Sequence, residues 1–223
     1  MSQKLKMPIT SILSTKTLYK EYKDILTKAN IQVTEYNAIA IEFVDFDSEM
    51  IVENAIITSQ NAAKAVIENK LVIKNCFCVG EKTMAYLEEY GQNVSKMKLY
   101  ASDLAHYIIK HHNKDTFTFF SGNLRRDILP NTLKENKIGL KEITVYNTIP
   151  APQKIEGQFD AILFYSPSGV SSYLMENTIT NETLFCIGKT TAEAIPEHFK
   201  NIVIPSSPTI ENVLHAVVKH SKK

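Results

Sequence analysis

The chain carries no G-x-S-x-G elbow, no Walker phosphate loop and no G-x-G-x-x-G turn, so hydrolase, nucleotidase and dinucleotide-binding readings lose the motifs that hold their chemistry. Its histidines, His106, His111, His112, His198, His215 and His220, form neither an H-E-x-x-H pair nor a nucleophile pairing, and they read as surface or helix-end residues. Cysteine is scarce. Cys76, Cys78 and Cys186 are an odd number without paired C-x-x-C spacing, and on predicted central strands they read as small buried hydrophobes rather than a disulfide framework or metal site. No apolar run reaches the ~18 residues of a membrane helix, and the opening Met1 to Pro8 leads into only a short apolar stretch, so a cytoplasmic address is expected. A net charge of +1 leaves a polyanion such as duplex DNA dependent on a local basic patch. Lys and Arg are instead scattered, and Lys219-His220-Ser221-Lys222-Lys223 reads as a solvated helix end. Neither a nucleic acid nor a membrane is expected as a partner.

What the chain does have is an internal repeat. Ala55-Ile56-Ile57-Thr58-Ser59-Gln60-Asn61-Ala62 returns as Ala161-Ile162-Leu163-Phe164-Tyr165-Ser166-Pro167-Ser168-Gly169, and Cys76-Phe77-Cys78-Val79-Gly80-Glu81-Lys82-Thr83 as Leu184-Phe185-Cys186-Ile187-Gly188-Lys189-Thr190-Thr191. Each copy is an apolar strand running into a small polar loop and then a helix. Ser166 follows Ser59 by 107 positions, Gly188 follows Gly80 by 108, and Tyr146 follows Tyr36 by 110. Leu26 to Ile31 likewise resembles Leu133 to Ile138. A period near half the chain fits a duplicated domain and excludes a solenoid, whose units run roughly 20 to 50 residues.

Charged residues at 22% and hydrophobic residues at 44% are those of ordinary globular domains. Strands are predicted at 9–14, 31–44, 54–58, 75–79, 117–121, 140–148, 160–165, 184–187 and 201–204. Helical spacing lies between most of them, as in Leu18, Tyr22, Ile25, Leu26 and Ala29. Alternation of this kind predicts parallel sheets covered by helices on both faces. Ligands of such sheets bind beyond the carboxyl ends of the strands, where Ser59, Gly80, Ser102, Ser121, Ser166, Gly188 and Ser206 are expected. Any one of these serines is explained as a helix N-cap; the set, in register between two copies, points to an anion site.

Two predicted strands, 31–44 and 140–150, are long against a usual 5 to 6 residues. If the chain crosses from one domain to the other on the first and returns on the second, its start folds with its C-terminal part. A tandem split near residue 113 is the other arrangement open at this stage.

The segments Phe164 to Gly169, Ile187-Gly188-Lys189-Thr190-Thr191-Ala192-Glu193-Ala194 and Ser206-Ser207-Pro208-Thr209 resemble the C-terminal signature of the uroporphyrinogen-III synthase family. Thr58-Ser59, Val79-Gly80 with Thr83, Ser121 to Pro130 and Val145-Tyr146-Asn147-Thr148 are similar to that family's other segments in the same order. Gln60 and Asn61 depart from it, standing where many members carry Pro and a basic residue, as does Lys189, where Pro is common.

The resemblance implies two flavodoxin-like, doubly wound α/β domains joined by a two-stranded β-ladder. One domain would comprise residues 1–35 with 150–223 and the other 46–139, with 36–45 and 140–149 as linker strands. It implies cyclisation of hydroxymethylbilane with loss of water and inversion of the terminal pyrrole ring, by a monomer that uses no cofactor and no metal. Tyr146 is the implied proton donor. Ser59, Thr83, Ser121, Arg125, Ser166, Ser168, Gly169, Lys189, Thr190 and Thr191 are the implied substrate contacts, with helix N-termini offering free N–H groups to carboxylates. Two rival classes remain: a non-catalytic two-domain binder of a polycarboxylate or phosphorylated ligand, which uses the same helix N-termini, and a glycosyltransferase, disfavoured because ~110 residues per lobe is small and no nucleotide-binding acid or basic cluster is evident.

Overall fold

The computed structural model describes residues 8–222. Along the chain the elements are β1 (Ser11–Ser14), α1 (Lys20–Thr27), β2 (Gln32–Glu35), β3 (Ile39–Phe43), β4 (Ile51–Ile57), α2 (Gln60–Glu68), β5 (Val72–Val79), α3 (Glu81–Glu89), β6 (Val94–Lys98), α4 (Ala101–His111), β7 (Thr116–Gly122), α5 (Ile128–Glu135) and β8 (Gly139–Pro150). They continue with β9 (Ala161–Phe164), α6 (Pro167–Glu176), β10 (Thr183–Cys186), α7 (Lys189–Ala192), β11 (Ile202–Val203) and α8 (Ile210–Ser221). The chain packs as two compact units: one takes the chain up to Ala40 together with everything from Pro150 onward, and the other is Ile41–Ile149.

The first unit holds a five-stranded sheet in the order β11-β10-β9-β1-β2, parallel throughout. Counted along its own chain this is 2-1-3-4-5, the flavodoxin-like order, whose switch point falls between β1 and β9. The second unit holds the order β3-β8-β7-β4-β5-β6. Its strands β4 to β8 are parallel neighbours and read 3-2-1-4-5, the other doubly wound order, with the switch between β4 and β7.

Strand alternation explains both cores, since successive side chains face opposite sides of a sheet. In the second unit, Ala55 and Ile57 pack with Ala62, Val66 and Leu87 of α2 and α3, while Ile56 between them packs with Leu104, Ile108, Leu129 and Leu133 of α4 and α5. In the first, Ile12, Ala161 and Leu163 meet Leu26 of α1 and Val213, Leu214 and Val217 of α8. On the opposite face Leu13, Ile162 and Phe164 meet Val170, Tyr173 and Ile195.

The repeat also appears in how helices stop. Asn30, Lys70 and Lys137 have φ of 56°, 52° and 60°, the left-handed conformation that closes a helix. Ile31 N donates to Leu26 O, Leu71 N to Val66 O and Ile138 N to Leu133 O, each at 3.0 Å. The residue after each left-handed position, Ile31, Leu71 or Ile138, is buried.

The structure departs from the sequence reading at one strand and adds detail at two other places. The predicted strand 31–44 is two strands, because Asn37 Oδ1 accepts from Thr17 N and Ala38 N donates to Thr15 O. These bonds pin the intervening chain to the β1 loop. Val94–Lys98, unassigned from sequence, is the edge strand β6, and its lysines suit an edge that must resist further pairing. Ser102 and Ser206 are not helix caps: α4 starts after Tyr100, and α8 is capped by Thr209, whose hydroxyl accepts from Asn212 N.

Candidate active site

In the second unit the switch point lies beyond β4 and β7. Ser59 follows β4 and caps α2, its Oγ accepting from Ala62 N at 3.1 Å. An extended Ser at this position satisfies one of the helix's free N–H groups. Ser121 and Gly122 end β7, and Gly122 pairs in register with Tyr146 of β8 across a bulge between Ser121 and Gly122. The Tyr146 hydroxyl then lies 3.2 Å from Ser59 Oγ. Three strands thus bring Ser59, Ser121, Gly122 and Tyr146 to one rim.

Glycine at 122 leaves space for the Tyr146 ring. A Cβ there would stand 2.5 Å from Tyr146 Cε2 and 2.8 Å from its hydroxyl oxygen, so the ring lies against the bare backbone. Ser121 is buried, as is Thr83 in the first turn of α3. Gly80, ahead of α3, has φ of 87°, a conformation glycine adopts without steric cost. Arg125 is drawn away from solvent by internal partners: its guanidinium pairs with Asp127, and Nε lies 2.6 Å from Glu142.

The first unit has its own rim at the ends of β1 and β9. Ser166 caps α6, Oγ accepting from Gly169 N at 3.0 Å, and Ser168 Oγ lies 3.0 Å from Ser166 Oγ. Pro167 opens that helix, where its missing N–H costs nothing. Gly169 is buried against the Ser166 hydroxyl, and a Cβ there would approach it to 3.2 Å. Lys189 and Thr190 are exposed at the start of α7, while Thr191 is buried.

Sequence reasoning missed a second cluster on this rim. Ser14 Oγ donates to Lys16 O at 2.5 Å and lies 3.2 Å from the Tyr165 hydroxyl, and Thr15 Oγ1 donates to Leu163 O at 2.7 Å. Burial pushes the Tyr165 phenol well up, and the nearby Glu35 charge adds to the rise. Glu35 is itself held by Leu18 N at 2.7 Å and Lys23 Nζ at 2.6 Å. The signal was present in the sequence: Ser14-Thr15 follows an apolar strand just as Thr58-Ser59 does.

Chemically, both rims offer hydroxyls and capped helix starts to an anionic ligand. Among the described residues, no group of three or more His, Cys, Asp or Glu is arranged to hold a metal ion.

Residues 20–215 match the family model HEM4, Uroporphyrinogen-III synthase HemD. Among solved structures, the chain is similar to the uroporphyrinogen-III synthetase of Helicobacter pylori 26695 at 16% identity and a TM-score of 0.73, covering 95% of this chain and 99% of that one. A mutant uroporphyrinogen III synthase of the extremely thermophilic bacterium Thermus thermophilus is similar at 14% identity and a TM-score of 0.62, covering 96% and 99%. At such identities these likenesses are of fold, whereas the family match spans most of the sequence. The chain belongs to the uroporphyrinogen-III synthase family.

Proposed function

We infer that the chain cyclises hydroxymethylbilane, with loss of water and inversion of ring D, to give uroporphyrinogen III in tetrapyrrole biosynthesis. The observation that carries this reading is the family match over residues 20–215. The reading includes a monomer acting in the cytoplasm on a small molecule; no helix among the described residues is long and apolar enough to cross a membrane.

In the mechanism, Tyr146 donates its phenol proton to the departing hydroxyl, the C–O bond breaks, and water leaves. The resulting cation is delocalised into the pyrrole and attacks the substituted position of ring D to give a spiro intermediate. That intermediate breaks and recloses with the ring turned over, and the proton lost on rearomatisation restores the phenol. Most of the drive lies in the substrate, so the protein's task is to order a flexible chain, an effect that supplies roughly 7 to 11 kcal/mol in favourable cases.

The helix start after Ser59 and the hydroxyls and helix start at Ser166, Ser168 and Gly169 suit the substrate's carboxylates, as do Thr83, Ser121, Lys189, Thr190 and Thr191 in the same reading. The test supplies hydroxymethylbilane and separates the product isomers. Formation of the inverted isomer is expected; the symmetric isomer alone overturns the reading.

A further inference from the structure

We propose that Ser59 is a positioning residue which, with Gly122, sets the direction in which Tyr146 gives up its proton. The inference rests on the reading of Tyr146 as the proton donor and adds to it a hydrogen-bond polarity.

A serine hydroxyl has one proton to give. Ser59 Oγ already accepts from Ala62 N, and its other partner among the described residues is the Tyr146 hydroxyl at 3.2 Å. Within the described residues the Tyr146 oxygen is the acceptor in reach of the Ser59 proton, whereas Tyr146 donating to the second lone pair of Ser59 would leave that proton to solvent, so Ser59 is taken as the donor. With that oxygen accepting, the Tyr146 O–H points out of the pair and is free to donate.

The first unit supplies the contrast. There Ser14 Oγ spends its proton on Lys16 O at 2.5 Å, so the 3.2 Å contact with Tyr165 has Tyr165 as donor. The Tyr165 proton is committed inward. Two tyrosine–serine pairs with the same separation thus have opposite polarity, and only the Tyr146 pair leaves a phenol proton for a substrate. Gly122 completes the arrangement by seating the Tyr146 ring where any Cβ would displace it.

The test is a double-mutant cycle between Ser59→Asp and Tyr146→Phe. Aspartate keeps the helix cap but can only accept from Tyr146 when ionised, so it reverses the polarity and captures the phenol proton. Ser59→Asp is expected to retain its thermal midpoint and lose about tenfold or more in kcat, with little further loss when Tyr146→Phe is already present. Ser59→Thr, which keeps both cap and hydroxyl, recovers most of what Ser59→Asp loses. Gly122→Ala gives a second arm, its loss also absorbed by Tyr146→Phe.

If Ser59→Asp costs as much on the Tyr146→Phe background as on the wild type, its effect does not pass through Tyr146 and the polarity is overturned while the donor role stands. If Tyr146→Phe turns over like the wild type, the donor role and this proposal fall together.

Discussion

Arg125 Nε lies 2.6 Å from the Glu142 carboxylate, which also holds Lys134 Nζ at 2.6 Å. With Asp127 pairing to the same guanidinium, the cation is occupied by its own chain. Arg125→Ala is expected to leave KM for the bilane close to wild type and to lower stability by about 1 kcal/mol or less, as for other partly exposed pairs. A urea midpoint and a KM determination check this; a large rise in KM would mean that Arg125 leaves Glu142 to hold substrate.

Tyr146→Phe removes the phenol proton but keeps the ring against Gly122. Turnover is expected to fall about tenfold or more, while the lost Ser59 hydrogen bond costs only about 1 kcal/mol of stability. Steady-state kinetics with a thermal melt separates the two effects.

Asp160 gives a pH dependence. Burial alone would raise its pKa, but hydrogen bonds from Thr10 N, Ser11 N and Thr10 Oγ1 outweigh this and hold it below the usual 3.8. A carboxyl lowered on folding stabilises the fold above its unfolded pKa, and that stability is lost as pH falls through the folded value. Unfolding midpoints across the acid range are expected to drop less steeply in Asp160→Asn than in the wild type.

The three thiols are expected to be inert in the folded protein. Burial pushes Cys76 and Cys186 up to about 12 and Cys78 to about 11, with Cys78 adding to the rise at Cys76 and Glu88 to that at Cys78. The thiolate is the reactive form, so alkylation at neutral pH should modify none quickly in the native state and all three in denaturant, counted by intact mass.

Much of this fold is legible in the sequence because it is written in short-range patterns. The alternation in Ala55-Ile56-Ile57 assigns side chains to two faces, and Ser59 and Ser166 announce the helices they cap. The repeat of Leu26 to Ile31 in Leu133 to Ile138 reappears as two helices stopped in the same way. Short-range signals also misled: Ser102 looks like a cap, yet α4 begins after Tyr100. The run 31–44 looks like one strand until the bond from Thr17 N to Asn37 divides it.

The sequence by itself determined most of the elements, the doubled architecture and the family resemblance, since periodicity, caps and motif order are all local properties of the chain. Only the tertiary structure decided which hydroxyls meet. Ser59 and Tyr146 are 87 residues apart, and they touch because the strand order sets β4, β7 and β8 side by side with a glycine between them leaving room for the ring. Hydrogen-bond direction depends on every neighbour of a hydroxyl at once, and that is fixed by the packed fold.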